Sequence, residues 1–98
     1  MASGVSRVVR GSVMGTGVAI DIETVGFRPR SVRLLNDSGD ELAWLSSMAD
    51  AAGFKRIAAG TGSLIAADGV TPLANGFTIG ADAAINALTE VIYWEAIE

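Results

Sequence analysis

The sequence predicts an all-β domain, a small antiparallel β-sandwich or barrel with Gly- and Pro-rich turns. Gly and Pro interrupt the chain every eight to twelve residues, the rhythm of short strands joined by turns. Between these breaks, branched and aromatic residues alternate with polar ones at a period of two. No segment offers a helix long enough to cover a sheet, so sheet must be buried against sheet.

Residues 6–14 form the first expected strand, closed by Gly15-Thr16-Gly17. In 18–23, Val18, Ile20 and Ile22 alternate with Ala19, Asp21 and Glu23, giving one apolar face and one acidic face. Gly26-Phe27-Arg28-Pro29 turns the chain, because Pro fixes φ and donates nothing to a central ladder. Residues 31–35 place Val32 and Leu34 on one side and Arg33 on the other. Asn36-Asp37-Ser38-Gly39-Asp40 reads as a hairpin loop, and 41–48 returns with Leu42, Trp44 and Met48 at even spacing. Residues 47–53 have the alternative of one helical turn ended by Gly53. Residues 54–59, 63–67 and 76–80 are further short strands, separated by Gly60-Thr61-Gly62 and by Asp68-Gly69. Residues 82–88 are a loop or a short helix, the loop being favoured. In the closing strand, 91–97, Ile92, Trp94 and Ala96 share one face while Val91, Tyr93 and Ile97 share the other. Both faces are apolar, so this strand is either central or meets another chain.

A length of 98 residues fits one domain over 1–98, with residues 1–5 as an N-terminal arm. Half the residues are apolar, yet only 18% are charged against a usual share of about 25%. Surface covered by other subunits explains that shortage; an Ala-rich but ordinary surface is the plainer alternative. Cysteine is absent, which removes disulfides and thiolate metal sites. Histidine is absent too, and with it the commonest general base and metal ligand. Gly60-Thr61-Gly62-Ser63 lacks the Lys and the strand–loop–helix setting of a phosphate loop and reads as a glycine turn. Asp21 with Glu23, and Asp37 with Asp40 and Glu41, are explained as a solvated strand face and a turn. Residues 36–41 also lack the ligand periodicity of a calcium loop. The expectation is a protein without catalysis, cofactor or metal. A net charge of −4 argues against nucleic acid as partner, and no apolar run approaches a membrane span. The first seven residues lack the apolar core of a signal peptide, so synthesis and use without export are expected.

Contact with other protein is the remaining role. Arg28, Arg30 and Arg33 flank the turn at Pro29 and are expected to form a basic patch suited to acidic neighbours. Val91, Tyr93, Trp94 and Ile97 complete the expected interface. Phe27, Phe54 and Phe77 each follow a Gly, as where a chain leaves a turn for a strand and anchors a ring in the core.

Several segments carry a resemblance. Gly26-Phe27-Arg28-Pro29-Arg30-Ser31-Val32-Arg33-Leu34-Leu35-Asn36, Leu42-Ala43-Trp44, Met48-Ala49-Asp50 and Ala58-Ala59-Gly60-Thr61 resemble the small virion-associated β-proteins of tailed bacteriophages. So do Gly69-Val70-Thr71-Pro72, Gly76-Phe77-Thr78-Ile79-Gly80-Ala81-Asp82 and Ile92-Tyr93-Trp94-Glu95-Ala96. The likeness runs from about Arg10 to the end and rests on turn motifs, which transfer no active-site residue. It implies a capsid decoration (cement) subunit on the virion surface, made in the host cytoplasm. The implied partner is the major capsid protein or another virion subunit, and the protein itself is a homo-oligomer, trimer favoured over dimer. The alternative it leaves open is a tail or fibre module binding a host surface glycan or protein, with residues 36–41 and 68–75 as recognition loops. A small hydrolase using Asp21 or Glu23 is the third and weakest reading.

Overall fold

The computed structural model describes residues 7–98; the expected arm at 1–5 and Ser6 lie outside the described residues. Eight strands account for 53% of it, with no helix among the described residues. They are β1 (Val8–Met14), β2 (Ile20–Ile22), β3 (Ser31–Asn36), β4 (Glu41–Leu45), β5 (Ala52–Arg56), β6 (Gly62–Leu73), β7 (Gly76–Ile79) and β8 (Val91–Ile97). They make one antiparallel sheet in the order β1-β8-β3-β4-β5-β6-β7-β2, curled into a half-barrel. The all-β, antiparallel expectation holds, with the apolar face buried by curling one sheet rather than by stacking two.

Alternation decides what faces inward. Ile92, Trp94 and Ala96 of β8, Val32 and Leu34 of β3, and Leu42 and Trp44 of β4 are buried. Phe77 of β7 meets Trp94 edge-on, with ring centroids 5.4 Å apart. The connections complete this core: Val25 and Phe27 come from the β2–β3 loop and Ile85 from the β7–β8 loop. Each such buried side chain contributes roughly 1.5–3 kcal/mol relative to exposure.

Two buried asparagines tie those connections to the sheet. Asn36 donates to the carbonyl of Ala84 at 2.5 Å and accepts from the Ser38 and Asp40 amides. Asn86 accepts from the Thr16 and Gly17 amides and donates to the Val18 and Gly80 carbonyls at 2.6 and 3.0 Å. Among the described residues no buried side-chain polar atom lacks a partner. Lys55 and Asp82 add an ion pair of 2.9 Å between β5 and the β7–β8 loop.

Several expectations are corrected. The strand expected over 18–23 shrinks to Ile20–Ile22, and Val18 is 64% exposed, because its carbonyl is taken by Asn86 rather than by a ladder. The strand expected over 41–48 ends at Leu45, and neither it nor a helical turn occupies 47–53; the Met48 amide donates to the Leu45 carbonyl in a turn. The strand expected over 54–59 instead spans Ala52–Arg56. Asp68-Gly69, read as a strand break, is a bulge inside the long β6, where Ala52 pairs with Val70 but Gly53 pairs with Ile65. Asp68 takes φ 63° there. Pro72 continues β6 at no cost in ladder bonds: the Val70 carbonyl turns away from β7 to accept from the Ala51 amide, so alternation turns the Pro72 nitrogen the same way, toward β5, whose pairing has already ended at Val70. Residues 82–88 are a loop, and β8 occupies the expected 91–97.

Candidate interaction surface

Because side chains alternate, the strands that build the core also present an outer face, and register shows what lies on it. One cross-strand row runs Arg10, Glu95, Arg33, Ala43, Phe54 and Leu64 from β1 through β8, β3, β4 and β5 to β6. The next row runs Ser12, Tyr93, Leu35, Glu41 and Arg56. Val8, Ile97, Ser31 and Leu45 form a third, and Met14 lies beside Val91. Nine large apolar side chains of the described residues are exposed, and all but Val18 and Leu88 stand on this face: Val8, Met14, Leu35, Leu45, Phe54, Leu64 and Tyr93. That concentration on one side of one sheet is far from the scattered exposure of an ordinary surface.

The charges on the face are partly self-neutralised. Arg10 donates to Glu95 at 2.7 Å. The phenol of Tyr93 donates to Asp37 at 3.0 Å, and this hydrogen bond, followed by the charge of Asp37, holds the phenol pKa above its usual value. Arg10, Arg33, Leu35, Glu41, Tyr93 and Glu95 border a depression of about 250 Å³.

The expected interface residues separate into three places. Val91, Tyr93 and Ile97 lie on the outer face with Arg33. Arg28 and Arg30 lie apart, bordering a second depression of about 300 Å³ with Ser46, Asp50 and Pro72. The three arginines therefore do not border one depression: Arg33 sits within β3, while the other two sit in the loop before it. Trp94 is corrected outright: it is only 7% exposed, turned inward against Phe77, and belongs to the core. The parity that puts Ile92 and Ala96 inside does the same to Trp94, a signal already present in the sequence.

Two of the candidate carboxylates are engaged structurally. Asp21 accepts from the Thr78 hydroxyl at 2.8 Å, and Asp40 accepts from the Ala58 amide at 2.8 Å. Among the described residues no three His, Cys, Asp or Glu side chains gather as metal ligands. No helix among them is long and apolar enough to cross a membrane. The exposed apolar residues Leu35, Leu45 and Leu64 were not singled out from sequence, although each falls at the outward position of its strand. Phe54, expected to anchor its ring in the core like Phe27 and Phe77, is corrected, because its register beside Ala43 and Leu64 turns it onto the outer face, 36% exposed. No protein-family model, curated protein or solved structure matches this chain.

Proposed function

We propose that this chain is a structural subunit of a phage virion, a capsid decoration protein that sits on the shell and contacts the major capsid protein through the outer face of its sheet. The observation that carries the contact is the gathering of exposed apolar side chains on that face. The resemblance of its turn segments to small virion-associated β-proteins supplies the setting. Shape agrees: the outer side of a half-barrel is convex and suits a valley between neighbouring shell subunits better than a flat partner. Such a contact stabilises the closed shell by binding it in preference to the opened one. Arg28 and Arg30, at a separate depression, offer acidic neighbours a second point of attachment.

The test is the location and copy number of the protein in density of the parent particle. Hundreds of copies on the shell are expected; a handful at one vertex would replace this reading with a tail or fibre module. One observation favours that second reading: the 36–41 loop, which has no aromatic of its own, acquires Tyr93 through the bond to Asp37. An aromatic ring beside carboxylates and arginines is the kind of surface that takes a sugar.

A further inference from the structure

β1 is one end of the sheet, and its hydrogen bonding shows which groups it leaves open. The Glu98 amide donates to the Arg7 carbonyl and the Gly15 amide donates to the Glu90 carbonyl. With the continuous register from Val8–Ile97 to Met14–Val91, strict alternation assigns Val9, Gly11 and Val13 to the ladder with β8. The N–H and C=O groups of Val8, Arg10, Ser12 and Met14 therefore point away from the sheet, and no described strand receives them.

The other edge strand, β2, is protected by being three residues long. Among the described residues, β1 has none of the usual protections. It is seven residues long, contains no proline, and pairs with β8 without a bulge. Its one charged side chain, Arg10, is drawn back onto Glu95 of the neighbouring strand. Its remaining outward side chains, Val8, Ser12 and Met14, are uncharged, and Val8 and Met14 are about half exposed.

We propose that β1 pairs antiparallel with β1 of a second copy about a twofold axis at Gly11, placing Val8 opposite Met14 and Arg10 opposite Ser12. Only this register pairs every open group of both edges. A slide of two residues one way sets Arg10 against Arg10, a like-charge pair that opposes association. A slide the other way sets Arg10 against Met14 and leaves the Val8 groups open. In the proposed register the two exposed apolar ends of each strand cover one another, and the outer faces of two half-barrels join into one surface. This deepens the reading of the chain as an assembling subunit by naming a second copy as one partner, and it favours a dimer over the trimer expected from the resemblance. Its test needs no particle.

Sedimentation of the full chain at micromolar concentration should give twice the mass of one 10.0 kDa chain. Ser12→Pro removes an N–H that has no partner among the described residues, so it should give a single-chain mass while melting within about 5 °C of the parent. A parent that sediments as one chain, or a folded Ser12→Pro that still sediments as two, would overturn the proposal. Should Ser12→Pro lose its cooperative melt, cysteines decide, because the chain has none of its own. Directly opposed residues in a bonded pair lie about 5.5 Å apart at Cα, within disulfide reach. Val8→Cys mixed and re-equilibrated with Met14→Cys should form a disulfide-linked dimer that neither variant forms alone. Absence of that species, or Ser12→Cys linking to itself, would defeat the register. A dimer that never enters the particle would leave the pairing standing and sink the virion reading instead.

Discussion

Asn86 shows how much of this fold hangs on single polar side chains. Its amide satisfies four backbone groups in two loops, at Thr16, Gly17, Val18 and Gly80. Asn86→Ala would strand them at a site that is fully buried, and a buried unpaired polar group costs about 1–3 kcal/mol. A loss of roughly 3 kcal/mol, lowering the melting temperature by more than about 10 °C, is expected in a thermal scan. Asp82 gives a pH-dependent counterpart. Burial raises its carboxyl pKa, but the hydrogen bond from Lys55 and the amides of Ile85 and Ala84 outweigh this and hold it below the ordinary 3.8. A lowered folded-state value means that its contribution is complete above 3.8 and is lost as pH falls toward and through that lower value. Asp82→Asn should therefore lose about 1.5 kcal/mol at neutral pH, the scale of a hydrogen bond to a charged group. It should also lose less further stability than the parent between pH 6 and pH 3 when melts are compared across that range. An unchanged acid slope would show that the Lys55 pair contributes nothing.

At the scale of elements, alternation made some strands legible and long-range contacts hid others. β3 and β8 were readable because Val32 and Leu34, and Ile92, Trp94 and Ala96, fall at strict period two in segments with one buried face. The stretch 18–23 has the same pattern and is strand over only half its length, because a side chain distant in sequence, Asn86, takes the Val18 carbonyl. No local signal announces such a bond. Asp68-Gly69 misled for a related reason: the dipeptide that marks a turn also marks a bulge, and only the partner strand decides between them. The two positions can be separated by experiment. Gly69 is needed for space, since a Cβ there would lie 2.1 Å from the Ala52 carbonyl oxygen. Asp68 instead carries a positive φ that glycine adopts freely. Gly69→Ala should lose about 2–3 kcal/mol by forcing β5 from β6, whereas Asp68→Gly should stay within about 1 kcal/mol of the parent. Chemical denaturation of the two variants checks the contrast, and equal losses would mean that crowding at the bulge is not what fixes it.

For the whole molecule, the decisive asymmetry is between the two sides of one curled sheet. Its concave side, closed by loops, accounts for stability, while its convex side holds apolar area that a lone copy does not cover. Part of this was legible, since the closing strand is apolar on both faces, but the inner or outer allegiance of its neighbours needed the register. Stability and assembly should therefore separate by face. Trp94→Asp places an unpaired charge among core side chains and should abolish folding, because a charge cannot be buried there without a partner. Leu45→Glu combined with Leu64→Glu changes side chains that are 48% and 75% exposed, so the fold should survive with a change within about 1 kcal/mol. Under the proposed decoration role, the same pair of carboxylates, set into a face that would be desolvated on contact, should prevent uptake into the particle. Far-ultraviolet dichroism and melting report the first property, and quantitative blotting of purified particles reports the second. A folded double variant taken up at the parent's level would mean that the convex face is not the contact surface, whatever its apolar content.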